Sequence, residues 1–195
     1  MTELQQAGTL IRAGKLVAFP TETVYGLGAN AMDAEAVNRI YEAKGRPPTS
    51  PLIVHVDSVA MAQRVVSHWP EAANQLAARF WPGALTLVLR KNEAIPDRVT
   101  AGLNTVGVRL PAHVLARAFI REAGVPIAAP SANKFGELSP TTAAHVFESL
   151  GDSVAMILDA GPCELGIEST VLSLTGPRPV LLTPGWFRRR ISRPF

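Results

Sequence analysis

The sequence contains a single cysteine, Cys163, among its 195 residues. One cysteine cannot form an internal disulfide, and it excludes a metal site built from several cysteines. Aromatic residues make up only 6% of the chain, so few side chains are available for stacking on nucleic-acid bases. The chain also lacks a start typical of a secretory signal and an apolar run of about 18 residues that would cross a membrane. We therefore expect a cytoplasmic protein.

Hydrophobic residues are abundant, at 47% of the chain, whereas charged residues make up 18%. This composition is typical of a globular protein with a substantial core. No repeat, linker or low-complexity stretch divides the sequence, so we predict one domain over residues 1–195. The net charge of +3 is compatible with anion binding, but it is too small to indicate nucleic-acid binding by itself.

Short apolar segments alternate with helix signals along the chain. The predicted strands cover 15–19, 52–56, 85–89, 106–110, 126–129, 155–158, 170–174 and 179–182. The predicted helices cover 2–13, a segment capped by Asp33, 71–80, 113–122, and a helix that opens at Ser139 as its N-cap and ends at Gly151. Because strands and helices do not alternate strictly, we predict an α/β fold on a twisted mixed parallel and antiparallel sheet.

The most informative segment is a basic loop between a predicted helix and a predicted strand, which we name the basic proline loop (residues 44–51). It presents Lys44, Arg46 and Ser50, and its prolines at 47, 48 and 51 fix the backbone φ. A stiff loop with two cations suits a polyphosphate. Cations at the end of a helix also complement its dipole, so the residues alone leave both explanations open.

Polar side chains also lie next to other predicted strands. Thr21 and Thr23 follow the first strand, Ser131 and Asn133 follow another, and Ser169 precedes a third. The ends of strands in α/β sheets are common ligand sites, although such residues also occur in ordinary turns.

Arg109 stands inside an apolar predicted strand. A buried guanidinium requires an anionic partner, which is either an internal carboxylate or a carboxylate of a ligand. The chain contains no Gly-x-x-x-x-Gly-Lys-Ser/Thr loop and no Gly-x-Ser-x-Gly motif. Its four histidines lack metal-ligand spacing, and only His55, close to the basic proline loop, is a candidate site residue.

Six segments occur in an order that resembles the YrdC-like threonylcarbamoyl-AMP synthases, over residues 15–185. They read AFPTETVYGLGANA, YEAKGRPPTSPLIVHV, FWPGALTLVL, VGVRLP, PSANKFGELSPTTA and GIESTVLSL. The resemblance implies a YrdC/RibB-like fold, a twisted mixed sheet around a basic cavity. It also implies an enzyme that joins L-threonine, bicarbonate and ATP, with Mg²⁺ on the phosphates, into threonylcarbamoyl-AMP and pyrophosphate.

The resemblance further implies the site residues and the partners. ATP would be bound by Lys44, Arg46, Ser50, Thr105, Ser131, Asn133 and Ser139. L-Threonine would be bound by Thr23, His55, Arg109 and Ser169, with Arg109 on its carboxylate. Lys44 and Arg46 would act electrostatically, with no covalent catalyst and no metal ligand from the protein. A tRNA threonylcarbamoyl-transfer complex would take the product, and double-stranded RNA or tRNA is a further expected partner.

The chain departs from the family pattern at Thr183, where members commonly have an arginine. Arg188, Arg189 and Arg190 are near enough in sequence to substitute for it. The chain resembles the short, single-domain members or a piece of a two-domain member. Two other functions stay open: an RNA-binding module in ribosome assembly without catalytic activity, and a carbamoyl-transfer domain like that of hydrogenase-maturation proteins.

Overall fold

The computed structural model of the protein describes residues 1–189, except for the side chains of Arg188 and Arg189. The helices are α1 (Glu3–Arg12), α2 (Ala34–Lys44), α3 (Val59–Val65), α4 (Glu71–Phe80), α5 (Asp97–Thr100), α6 (Val114–Ala123) and α7 (Ala143–Leu150). The strands are β1 (Val17–Phe19), β2 (Gly26–Asn30), β3 (Ile53–His55), β4 (Leu85–Arg90), β5 (Thr105–Arg109), β6 (Ile127–Ala128), β7 (Met156–Ile157), β8 (Thr170–Ser173) and β9 (Val180–Thr183). Two 3₁₀ turns cover Gly151–Ser153 and Trp186–Arg189.

The nine strands form one sheet in the order β7-β1-β2-β6-β3-β5-β4-β8-β9. Three neighbouring pairs are parallel, namely β1 with β7, β3 with β5, and β4 with β8. The remaining pairs are antiparallel. This arrangement confirms the predicted mixed α/β sheet.

The core lies between the sheet and the helices that cover it. Phe19 of β1 packs on Phe119 of α6 with 5.3 Å between ring centroids, and both side chains are fully buried. A Cβ atom at Gly8 of α1 would lie 3.0 Å from the backbone of Glu122, so this glycine allows α1 and α6 to approach closely. Among the helices of the described residues, none is both long and apolar enough to span a bilayer.

The predicted helix start at Ser139 is wrong. Helix α7 begins at Ala143, where the Thr142 hydroxyl accepts the N–H of His145 at 3.2 Å. The carbonyl of Pro140 instead accepts the N–H of Tyr25 at 2.9 Å, which ties this segment to the chain entering β2. Ser139 is therefore free to bond elsewhere.

Three elements were not expected from the sequence, namely β2, α3 and α5. Strand β2 contains Gly26 and Gly28, residues with low strand propensity. A Cβ at Gly28 would lie 2.9 Å from Ile127 and 3.0 Å from the Phe19 ring. The glycines thus allow close packing on neighbouring strands, an effect of tertiary structure that strand propensity does not capture.

Two parallel strands at the centre of the sheet position the site. Helix α2 ends at Gly45, whose φ of 58° lies in the left-handed region that glycine adopts without strain. The basic proline loop then turns the chain into β3. Strand β3 lies beside β5 with His55 paired to Arg109, so these two residues from distant segments become neighbours.

Candidate active site

A cavity of about 210 Å³ opens beside the ends of the central strands. Its wall includes all four residues predicted to bind L-threonine, which are Thr23, His55, Arg109 and Ser169. Of the seven residues predicted to bind ATP, only Arg46 and Ser131 lie on this wall. The cavity is smaller than the roughly 300–1,000 Å³ typical of ligand pockets, which suits an amino acid better than a whole nucleotide.

Each wall residue is delivered by a strand or its flanking loop. Thr23 lies in the β1–β2 connection, and Ser131 follows β6 and forms a bridge with Gly26. Ser169 directly precedes β8. The antiparallel and parallel pairings bring these strand ends to the same region, as the rule for α/β sheets predicts.

Arg109 is held by two protein groups behind the cavity. Its Nη2 donates to Oε1 of Glu22 at 2.7 Å, and its Nε donates to the carbonyl of Gly83 at 3.3 Å. Both charged side chains are buried. The two alternatives from the sequence are thus partly resolved, because Arg109 has an internal carboxylate partner. Its Nη1 group and the second N–H of Nη2 have no protein partner within residues 1–189, so binding of a ligand carboxylate stays a prediction.

His55 is a neutral imidazole in this environment. Burial, and then the positive charge of Arg109, lowers its pKa to about 3. The ring packs edge-on against Phe19 with 5.8 Å between ring centroids. Its Nδ1 atom is buried and has no hydrogen-bond partner in the described part of the chain. His55 can therefore exchange hydrogen bonds with a ligand in the cavity without contributing charge.

The hydroxyl of Thr23 donates its proton to the hydroxyl of Thr21. The Thr21 hydroxyl donates to the carbonyl of Val24 at 2.7 Å. It therefore accepts from Thr23, whose hydroxyl lies 2.8 Å away. This leaves the lone pairs of Thr23 as acceptors for an N–H or O–H group of a ligand.

Ser169 forms a second buried hydroxyl pair. Its Oγ lies 2.8 Å from Oγ1 of Thr86 on β4. Of the two, only Ser169 lies on the cavity wall. Its hydroxyl offers the cavity a proton when Thr86 donates within the pair, and a lone pair when Ser169 donates.

Lys44 lies behind Ser131 rather than on the cavity wall. Its Nζ donates to the carbonyl of Ser131 at 2.6 Å and also to the carbonyl of Asn133. Burial, and then the neighbouring charge of Arg46, lowers the pKa of Lys44 to about 8. Lys44 thus anchors the 131–133 segment. Its contact with a nucleotide stays a prediction.

Arg46 is half-buried, and its Nη2 lies 3.4 Å from the carbonyl of Pro51. Burial lowers its pKa, and its Nε is buried with no protein partner in the part of the chain that the structure describes. Arg46 is therefore the cation of the basic proline loop that is best placed to meet an anion in the cavity.

The other predicted nucleotide residues surround this region without lining the cavity. The carbonyl of Ser50 is 2.9 Å from the Tyr41 hydroxyl. The side-chain amide of Asn133 donates to the carbonyls of Lys134 and Glu137, while its Oδ1 has no partner among residues 1–189. Thr105 begins β5 and pairs with Arg90 of β4.

Ser139 reaches the cavity indirectly. Its hydroxyl donates to Oε1 of Glu168 at 2.7 Å, and Glu168 lies on the cavity wall. Thr183 is exposed on β9. The arginines expected to substitute for the missing one lie outside the described residues, which exclude Arg190 and the side chains of Arg188 and Arg189.

Sequence reasoning missed Glu22 as a partner of the site, although it noted the polar cluster after β1. The requirement that buried Arg109 needs an anion was the available signal, but the sequence offers 16 acidic residues and no means of choosing among them. The part of the chain that the structure describes contains no group of three or more potential metal ligands.

Known proteins resemble the chain over nearly its whole length. The model of the Sua5_yciO_yrdC family, described as "Telomere recombination", matches residues 9–185. A curated threonylcarbamoyl-AMP synthase of Bacillus subtilis is 55% identical over 94% of this chain and 53% of its own length. The chain thus spans about half the length of this relative.

Two solved structures share the fold. Pyrococcus abyssi Sua5, solved in complex with L-threonine, has a TM-score of 0.92 and 54% identity, and the match covers 93% of this chain and 54% of that one. HypF of T. kodakarensis has a TM-score of 0.80 over 93% of this chain and 24% of that one, but its 22% identity shows the fold alone. The resemblance seen in the six sequence segments is confirmed, and the chain belongs to the Sua5–YciO–YrdC family.

Proposed function

We propose that the protein is an L-threonylcarbamoyl-AMP synthase that condenses L-threonine, bicarbonate and ATP into threonylcarbamoyl-AMP and pyrophosphate. The observation that carries the proposal is the cavity, in which a buried arginine, a neutral imidazole and two hydroxyls meet beside the basic proline loop. The 55% identity to a curated synthase supports the same activity. ATP enters as its magnesium complex, with the metal carried by the phosphates.

The cavity suits a zwitterionic amino acid with a hydroxyl. The free N–H groups of Arg109 would receive the carboxylate, and the lone pairs of Thr23 would accept from the amine or the hydroxyl of L-threonine. His55 and Ser169 offer further neutral hydrogen bonds from the cavity wall. Because these groups are already buried, little desolvation remains to be done when the substrate enters.

The reaction proceeds in two steps. The threonine amine attacks bicarbonate and forms a C–N bond with loss of water, which gives an N-carboxylate. An oxygen of this carboxylate then attacks the α-phosphorus of ATP, and the bond from that phosphorus to the bridging oxygen breaks to release pyrophosphate. The protein contributes by positioning and by charge, with Arg46 and Lys44 opposite the negative charge that develops on the leaving group.

A pyrophosphate-release assay with threonine, bicarbonate and MgATP tests the proposal. We expect release that requires L-threonine, with threonylcarbamoyl-AMP detected by mass spectrometry. Arg109→Lys should raise the threonine KM by about 10-fold or more, because lysine keeps the charge but loses the planar fork. A folded wild-type protein that releases no threonine-dependent pyrophosphate would contradict the proposal.

Glu148→Gln serves as a control for a substitution outside the cavity. Glu148 is an exposed carboxylate on α7 and does not line the cavity. We expect wild-type kinetics from this variant.

The proposal extends to partners and location. A tRNA threonylcarbamoyl-transfer complex would consume the product, double-stranded RNA or tRNA would be further ligands, and the protein would work in the cytoplasm. The alternative functions are an RNA-binding module without activity and a carbamoyl-transfer domain. The cavity favours the synthase over both, because its lining fits an amino acid.

A further inference from the structure

Glu22 is the buried carboxylate that stands behind Arg109. Its side chain is 8% exposed and that of Arg109 is 4% exposed. Oε1 of Glu22 accepts from Nη2 of Arg109 at 2.7 Å, and Oε2 accepts from the backbone N–H of Ala112 at 3.0 Å. Glu22 does not line the cavity, whereas Arg109 does.

These bonds fix the orientation of the guanidinium. The carbonyl of Gly83 takes the Nε–H of Arg109, and Glu22 takes one N–H of Nη2. Protein acceptors thus engage Nε and Nη2. Nη1 and the second N–H of Nη2 have no acceptor among the described residues, and a guanidinium can receive a carboxylate through two of its nitrogens with two parallel hydrogen bonds.

The charges lead to the same conclusion. A buried guanidinium without a partner is costly, and Arg109 also lies next to the uncharged ring of His55. The carboxylate of Glu22 compensates that charge before any ligand arrives. The N–H of Ala112 binds the second carboxylate oxygen, so Glu22 neutralises Arg109 through Nη2 alone and leaves Nη1 without an acceptor among the described residues.

We infer that Glu22 is a positioning residue for L-threonine binding, which acts by holding the Arg109 guanidinium with its free end toward the cavity. The inference rests on the proposed function and deepens it, because it assigns carboxylate recognition to a Glu22–Arg109 unit. Glu22 itself touches no reacting atom.

Glu22→Gln tests the inference, because a glutamine has a single acceptor oxygen. One of the two donors, Arg109 Nη2 or Ala112 N, would then face an NH₂ group. We expect the threonine KM to rise by about 10-fold or more, since an unsatisfied buried donor has a cost of that order. The ATP KM should stay within about 2-fold, because the nucleotide contacts are separate. Glu148→Gln, with the same chemical change at an exposed site, should behave as wild type.

A ligand without a carboxylate distinguishes a specific loss of carboxylate recognition from a general loss of binding. We would compare L-threonine and L-threonine amide in calorimetric titrations of the wild type and of Glu22→Gln. The wild type should prefer L-threonine, and the preference should shrink at least several-fold in the variant. Equal losses for both ligands, or equal rises in the threonine and ATP KM values, would overturn the inference and leave a purely structural role.

Glu22→Asp covers the case in which Glu22→Gln does not fold. Aspartate keeps the charge but is too short to reach both donors, so an intermediate threonine KM is expected. A crystal structure of either variant should show the guanidinium displaced from the Gly83 carbonyl, and an unmoved guanidinium would overturn the inference. If wild-type protein binds no threonine, the proposed function fails, while this structural readout still tests Glu22.

Discussion

At the scale of residues, the site combines a charged and an uncharged basic group side by side. Arg109 and His55 are direct neighbours across β3 and β5, and the cation helps to keep the imidazole neutral. A neutral histidine can hydrogen-bond both an amine and a hydroxyl, and it does not repel an ammonium group. The charged residues on the cavity wall are Arg46, Arg109 and Glu168, and Glu22 stands behind Arg109.

His55 makes stability depend on acid pH. Its folded-state pKa of about 3 lies below the ordinary value near 6.5. Between these values the unfolded chain binds a proton that the folded protein does not bind, so stability is lost as the pH falls from about 6.5 towards 3. One such group lowers the free energy of unfolding by up to about 1.4 kcal/mol for each pH unit in this range.

The prediction is that His55→Gln loses stability less steeply than wild type between pH 6 and pH 4. Urea unfolding at a series of pH values measures this slope. His68→Gln, which removes an exposed histidine, is the matched control. Parallel stability curves for wild type and His55→Gln would show that the imidazole is not buried in its neutral form.

At the scale of elements, the end of α2 is fixed to the segment that follows β6. Lys44 ends α2, and its Nζ holds the 131–133 segment while its carbonyl accepts the N–H of Phe135 at 2.7 Å. One residue thus ties the basic proline loop to the segment that follows β6. The cations at the end of α2 complement the helix dipole and also lie beside the cavity, so the two explanations offered by the sequence are compatible.

The turn after β9 packs against the part of the cavity wall that contains Ser169. Gly185 has a φ of 43°, and a Cβ there would lie 2.4 Å from the backbone of Ser169 and Thr170. The Thr170 hydroxyl also donates to the carbonyl of Pro184 at 2.5 Å. Ser169 therefore depends on the close approach of this turn.

Gly185→Ala should destabilise the protein by more than about 1 kcal/mol, because it combines a left-handed backbone with a backbone collision. The threonine KM should rise as Ser169 shifts, and thermal unfolding together with steady-state kinetics measures both effects. Gly176→Ala is the matched control, since its Cβ would approach nothing nearer than the Arg178 carbonyl at 3.8 Å. Equal behaviour of the two variants would contradict this account of the wall.

At the scale of the whole molecule, the cavity exists because strands distant in sequence are neighbours in the sheet. Glu22 and Arg109 are 87 positions apart, and Ser169 and Thr86 are 83 apart. Because each contact joins segments that are distant in sequence, ligand binding at the cavity should raise the free energy of unfolding of the whole molecule.

A thermal-shift titration tests this coupling and separates the enzyme from the RNA-binding alternative. Ligands at about 100 times their Kd add about 2.7 kcal/mol, which corresponds to a Tm rise of roughly 5–10 °C for a chain of this size. We expect this from L-threonine with MgATP, and a smaller rise in Arg109→Lys. A rise with double-stranded RNA alone, and none with threonine and MgATP, would favour the binding module.

The sequence by itself determined the features that depend on neighbouring residues. It predicted the mixed sheet, the Asp33 cap, the basic proline loop and the strand-end hydroxyls, because apolar periodicity and capping act within a few residues. The helix start at Ser139 failed because Pro140 pairs with Tyr25 over a long sequence separation.

Only the tertiary structure decided which polar groups meet. It paired Arg109 with Glu22, placed Lys44 behind the cavity, and formed β2 from a glycine-rich segment. The physical reason is that such contacts depend on strand order and register, which bring together residues from distant parts of the chain. Local sequence sets the chemistry of each group, whereas the fold sets its partner and therefore its charge, orientation and access to a ligand.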